Sequence, residues 1–197
     1  MVGQRPRPAM SVISCGRNLV LIGMMGAGKS AVAAELARRL GRERIDTDEL
    51  VESELDQTIP EIFAQRGERA FREAEARMCR HVGTIHGAVV AVGGGAVLDP
   101  ANVTALGATG DVVWLDATPE ALVERVGGGD ERPMLADDDV SARVRQLAGQ
   151  RRERYCRSAA VRVDTTDRDV ADIATEILDW ARHRPGLLAR EEREEIA

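Results

Sequence analysis

Asn18-Leu19-Val20-Leu21-Ile22-Gly23-Met24-Met25-Gly26-Ala27-Gly28-Lys29-Ser30, continuing into Ala31 to Leu40, is the stretch on which the fold turns. Its first five residues are a short apolar run. The next eight are a glycine-rich turn that satisfies GxxxxGK[ST], and the remainder is rich in helix formers, with Leu36 and Leu40 four apart. Strand, loop and helix in that order wrap backbone N–H groups around phosphate oxygens at a helix N-terminus. Lys29 then reaches the β- and γ-phosphates of a nucleotide, and Ser30 a Mg2+ ion. Lys29 is the only lysine in the chain. An arginine-biased composition explains the exclusion elsewhere, whereas a compact ammonium fits a phosphate loop and a planar guanidinium does not.

Working outward, further strand candidates are Arg44-Ile45, Val89 to Val92, Val112 to Leu115 and Val161 to Val163, each separated from the next by enough chain for a helix. Strands alternating with helices predict an α/β fold with a mainly parallel, covered sheet. Thr58-Ile59-Pro60-Glu61 has the form of a capping box and predicts a helix start, with Gly67 as its stop, and Thr118-Pro119-Glu120 starts another helix. From Gly127 to Asp139 the periodicity fails amid glycines, Arg132-Pro133-Met134-Leu135 and an acidic run, which reads as a mobile lid over residues 127–139. An amphipathic helix around Val170 to Trp180 closes the fold. The expected organisation is a flexible tail over 1–17, one domain over 18–182, and a charged, solvated tail over 183–197.

The bulk numbers bound the class. A chain of 197 residues with 44% hydrophobic and 30% charged residues has room for one substantial core. Its net charge of −6 provides no general basic field, so nucleic acid is an unexpected partner. Cys15, Cys79 and Cys156 are odd in number and form no CxxC or Cys/His pattern, which fits a reducing cytoplasm. No apolar run approaches the roughly 18 residues of a membrane span, and the Arg-bearing start lacks a signal-peptide core. His81, His86 and His183 match no metal spacing.

Two further features bear on chemistry. Asp46-Thr47-Asp48 follows the short Ile45 strand, where alternation sets one carboxylate toward a Mg2+ shell and the other toward an acceptor; helix capping is the rival reading. Val89 to Val92 runs into Gly93-Gly94-Gly95, and three successive glycines permit a very close approach of backbone to ligand.

Taken together, the phosphate loop, Asp46-Thr47-Asp48, Phe71-Arg72 with Glu75, Gly93-Gly94-Gly95, Arg132-Pro133-Met134-Leu135, and Arg151 with Tyr155 resemble the shikimate kinases in order and spacing, over about Asn18 to Trp180. The resemblance implies a P-loop NTPase of nucleoside-monophosphate-kinase-like fold, with a five-stranded parallel sheet flanked by helices and a mobile lid. It implies ATP-dependent phosphorylation of shikimate to shikimate 3-phosphate, with Mg2+ as cofactor; composition and charge add the expectation of a cytoplasmic protein that engages neither membrane nor nucleic acid, and a monomer is expected.

Carried onto matching positions, Gly26, Ala27, Gly28, Lys29, Ser30, Ala31, Arg132 and Arg168 bind ATP, and Ser30 and Asp46 hold the metal. Asp48, Arg72, Gly93, Gly94, Gly95 and Arg151 bind shikimate, the two arginines on its carboxylate, and Lys29, Asp48 and Arg132 carry the catalysis. Phe63 and Phe71 fall where the family lines its acceptor pocket, or are plain core. The family's Arg-x-Pro-Leu-Tyr is here Arg151-Arg152-Glu153-Arg154-Tyr155, which leaves Arg151 or Arg152 for the carboxylate. Arg125 is either a nucleotide-side arginine or a cap on its own helix. Gluconate kinase or a nucleotide kinase is the enzymatic rival, and a non-catalytic shikimate-kinase-like regulator the other; Arg72, the glycine triplet and Arg151 argue against the first.

Overall fold

The computed structural model describes residues 16–127 and 139–196. Five parallel strands, β1 (Asn18–Ile22), β2 (Arg44–Asp46), β3 (Val89–Ala91), β4 (Gly110–Asp116) and β5 (Val161–Asp164), form one sheet in the order β2-β3-β1-β4-β5. Leu19, Val20, Leu21, Val89, Val90, Val113 and Leu115 are completely buried, because a parallel sheet is covered on both faces and its central strands run apolar without alternation. Each such side chain contributes about 1.5 to 3 kcal/mol on burial.

The covering helices are α1 (Lys29–Leu40), α2 (Thr47–Leu55), α3 (Ile59–Val82), α4 (Pro100–Thr109), α5 (Pro119–Gly127), α6 (Asp139–Ser158) and α7 (Val170–Arg182), with a short α8 (Arg190–Glu195) at the end. A 3-10 turn, Ala96–Leu98, follows the glycine triplet. α2 and the start of α3 enclose a small satellite core of Val51, Ile62, Phe71 and Ala74, against which Phe63 packs with ring centroids 4.9 Å apart. The capping box at Thr58 forms, its backbone N–H donating to Glu61 Oε2 at 2.8 Å.

Three boundaries differ from the sequence expectation. Gly67 does not stop its helix: α3 continues to Val82 across a kink at Gly67, whose φ of 79° leaves the helical region for one residue before the apolar face at Phe71, Ala74, Cys79 and Val82 re-engages the core. The segment expected as a solvated tail is packed over its described residues, 183–196, because Leu187 and Leu188 are buried and Arg42 donates to Glu192 at 2.6 and 2.7 Å, a bidentate pair whose side chains are 3% and 8% exposed. At the other end, Gly16 is buried and the Arg17 N–H donates to Gly186 O at 2.9 Å, so the packed body begins before Asn18. The two ends of the described body are thus tied through Arg42, which also donates to Arg17 O and Leu187 O. The expected lid, with Arg132, lies outside the described residues apart from its helical ends. None of the described helices is long and apolar enough to cross a membrane.

Candidate active site

The carboxyl ends of the strands carry the polar residues, as the parallel architecture requires. β1 ends in the phosphate loop. Gly28 stands at the N-cap of α1 with φ 88°, a left-handed conformation that a side chain resists, and no acidic residue sits in the first turn of that helix. The first-turn N–H groups and the positive end of the helix dipole suit this terminus to an anion. Lys29 Nζ donates to Gly23 O and Met24 O, both at 3.0 Å, so the ammonium folds back over the loop. Ala27 is buried, whereas Ser30 and Ala31 are exposed at the head of α1.

β2 ends at Asp46, whose two carboxylate oxygens take different partners. Its Oδ1 accepts from the Asp48 N–H at 3.0 Å and caps α2, while its Oδ2 accepts from Ser30 Oγ at 2.9 Å. Asp48 is not part of an alternating strand; it lies in the first turn of α2. The buried Thr47 between them was given no role in the sequence reading, yet its Oγ1 accepts from the Gly93 N–H at 2.9 Å and joins the end of β2 to the glycine triplet. Only its place between two aspartates signalled it.

The triplet after β3 is where the acceptor-side residues converge. A methyl group on Gly93 would lie 2.5 Å from Asp48 Oδ1 and 2.9 Å from Glu75 Oε1, so glycine leaves the room two carboxylates occupy. A methyl on Gly95 would overlap the Arg72 guanidinium. Arg72, on α3, donates to Glu75 Oε2 at 2.8 Å and to Glu68 at 3.1 Å, and lies over the Phe71 ring. Glu75 is 2% exposed, and its Oε1 has no hydrogen-bond partner among the described residues. Burial pushes its carboxyl above the ordinary range, and the Arg72 guanidinium opposes that rise. Gly94 approaches the phosphate loop itself: a methyl there would be 3.2 Å from Gly23 O and 3.6 Å from the Met25 nitrogen.

α6 closes the site from the other side. Arg151 Nη1 and the Tyr155 hydroxyl both donate to Gly94 O, at 3.1 and 2.6 Å. Arg152 turns away, pairing with Asp116 Oδ2 at 3.1 Å and lying over the Trp114 ring, where Arg162 joins it. A cleft of about 140 Å3 on that side is bounded by Met24, Trp114, Leu122, Ala148, Arg152 and Tyr155. It contains none of Lys29, Ser30, Asp46, Asp48, Arg72 or Arg151. On the phosphate-loop side, Arg125 directs its guanidinium to Thr165 O at 2.7 Å and Gly26 O at 3.4 Å rather than to the end of its own helix. Arg168 donates to Asp164 O and pairs with Glu176 at 2.6 Å. Of the residues singled out in the sequence, Lys29, Ser30, Asp46, Asp48, Arg72, Gly93, Gly94, Gly95 and Arg151 gather along one edge, and Arg168 follows β5 with Glu176 as its ion-pair partner.

A family model described as shikimate kinase matches residues 25–182. The shikimate kinase of Symbiobacterium thermophilum is 44% identical over 169 residues, covering 85% of this chain and 97% of that one. That of Geobacter sulfurreducens is 42% identical over 174 residues, covering 88% and 96%. Among solved structures, the shikimate kinase of Acinetobacter baumannii in complex with shikimate superposes with a TM-score of 0.79 at 34% identity, covering 83% of this chain and 92% of that one. A sugar kinase from Janibacter, at 15% identity and a TM-score of 0.56, shares the fold.

Proposed function

Because this chain belongs to the shikimate kinase family, we propose that the edge described above transfers the γ-phosphate of ATP to shikimate, giving shikimate 3-phosphate on the route to chorismate and the aromatic amino acids. One observation carries the residue-level reading: Asp48, Arg72 and Arg151, from three different helices, reach one glycine triplet that abuts the phosphate loop. Donor and acceptor sites share a wall.

Phosphoryl transfer asks of a protein chiefly positioning, charge neutralisation and exclusion of water. In this reading the outward N–H groups at the head of α1 cradle the phosphates, and Lys29 leaves its loop carbonyls to neutralise the transferred group. Arg132 does the same from outside the described residues. Gly26, Ala27, Gly28 and Ala31 complete the nucleotide contacts, with Arg168 at the adenine side. Ser30 Oγ and Asp46 Oδ2, 2.9 Å apart, are hard oxygen donors that fit Mg2+, an ion content with few protein ligands when phosphate and water supply the rest. Held there, Mg2+ would supply neutralisation of the phosphate charge.

On the acceptor side, Arg72 and Arg151 take the shikimate carboxylate, since bidentate arginine replaces the hydration that a carboxylate loses in a closed site. Asp48 orients the attacking hydroxyl, and Gly93, Gly94 and Gly95 let the substrate lie against the backbone. The acidic net charge supports small molecules rather than nucleic acid as partners, and a cytoplasmic monomer is part of the same reading.

The test is ATP consumption measured over shikimate, gluconate and nucleoside monophosphates. Turnover confined to shikimate is expected. A preference for gluconate or a nucleotide would overturn the reading, and no turnover with any acceptor would favour a regulator.

A further inference from the structure

The mechanism above assigns Tyr155 no task, although three segments of the site meet at its hydroxyl. Tyr155 is 1% exposed, with its ring stacked on Trp114 at 5.9 Å. Its hydroxyl donates to Gly94 O at 2.6 Å and lies 3.6 Å from Met24 Sδ in the phosphate loop. Arg151 lies one helical turn before it on α6, on the same face, and donates to the same carbonyl. Gly94 in turn touches the phosphate loop, where a methyl would meet Gly23 O at 3.2 Å and the Tyr155 hydroxyl at 3.6 Å.

We propose that Tyr155 is a positioning residue: its hydroxyl and Arg151 together clamp the Gly94 carbonyl and set the acceptor turn against the phosphate loop. This deepens the functional reading above and rests on it. The consequence reaches beyond one carbonyl, because the peptide bonds of the described residues are trans and planar. Pinning Gly94 O toward α6 therefore directs the Gly95 N–H to the opposite side, and it holds Arg151 in register with the triplet. Burial raises the phenol to about 12, so the group stays a neutral donor at any working pH and contributes geometry rather than charge. The ring is a separate matter: it packs on Trp114 and supports the fold.

Those two roles separate by substitution. Tyr155→Phe keeps the ring and its stacking and removes only the O–H donor. A small displacement of the acceptor relative to the phosphate loop is costly, since misplacement by about 1 Å lowers rate by on the order of a hundred-fold. With Arg151 still on the carbonyl, kcat for shikimate is expected to fall by roughly ten-fold, while the ATP KM and the thermal midpoint stay near wild type. Tyr155→Leu, which also loses the ring, is expected to add a clear drop in thermal midpoint.

The same series is followed by the amide hydrogen exchange of Ala96, whose buried N–H donates to Gly93 O at 3.0 Å across the turn and is expected to exchange faster in Tyr155→Phe. Wild-type-like kcat together with unchanged Ala96 exchange overturns the proposal. So does a Tyr155→Phe loss that appears equally in both KM values and in the thermal midpoint, because that is general loosening rather than positioning. Wild-type turnover of shikimate in the same assay separates the two readings: without it the functional reading fails, and the exchange of Ala96 still decides whether the hydroxyl clamps the turn.

Discussion

Replacing Arg151 and Arg152 one at a time discriminates two adjacent arginines that face different parts of the molecule. Arg151 reaches Gly94 O at 3.1 Å, within the edge shared by Asp48 and Arg72, whereas Arg152 is 56% exposed and pairs with Asp116. For Arg151→Ala the loss is that of a charge-assisted contact to the shikimate carboxylate, about 1.5 to 3 kcal/mol, which is roughly ten- to a hundred-fold in kcat/KM for shikimate. The ATP KM should barely change. For Arg152→Ala the loss is an exposed ion pair worth about 0 to 1 kcal/mol, and Asp116 keeps Arg162 at 2.8 Å. Its shikimate kinetics should therefore match wild type. The assay is coupled ADP release, titrating shikimate at saturating Mg-ATP and then ATP at saturating shikimate, with Arg72→Ala measured alongside as the second carboxylate arginine. A large shikimate defect in Arg152→Ala with a silent Arg151→Ala would refute the assignment, and silence in all three variants would refute the carboxylate site altogether.

Lys29→Ala should leave a folded protein with almost no turnover, because its ammonium donates to loop carbonyls and the side chain is half-buried rather than core; near-normal kcat at saturating Mg-ATP would remove its role. Glu75 has a folded-state pKa raised above the unfolded one, so its contribution to stability is fully present below about pH 4.3 and is lost as pH rises through the folded value. The stability of wild type relative to Glu75→Gln, read from urea midpoints, should fall between pH 4 and pH 7; a rise over that range would contradict it. Glu192→Ala leaves the buried Arg42 guanidinium without its counter-ion and the Ala189 N–H without its acceptor, at a cost of about 3 to 5 kcal/mol in urea unfolding with unchanged KM values. A cost under about 1 kcal/mol would mean that the C-terminal segment is not anchored there.

The phosphate loop and the succession of strands were legible along the chain. The reason is that both are written in short-range chemistry: glycines where the backbone turns left-handed, a lysine and a serine at a helix start, and apolar runs of strand length. Asp46 was legible as a carboxylate with two possible duties; one oxygen caps α2, and the other is left to accept from Ser30, so the cap does not use up the carboxylate. Arg151 and Arg152 were not separable in the sequence. Neighbours on a helix point about 100° apart, and only the rotation of α6 against the sheet decides which one meets Gly94. Thr47 and Gly93 lie on separate strands' ends, and periodicity within either segment says nothing of their hydrogen bond.

The charged end misled for a related reason. Glu191 to Glu195 reads as solvated by composition, yet one carboxylate in it meets an arginine 150 positions away and is buried with it. Local pattern reports which side of an element is apolar. Which distant polar group completes a buried pair is a property of how the elements pack, and the tertiary structure alone decided it.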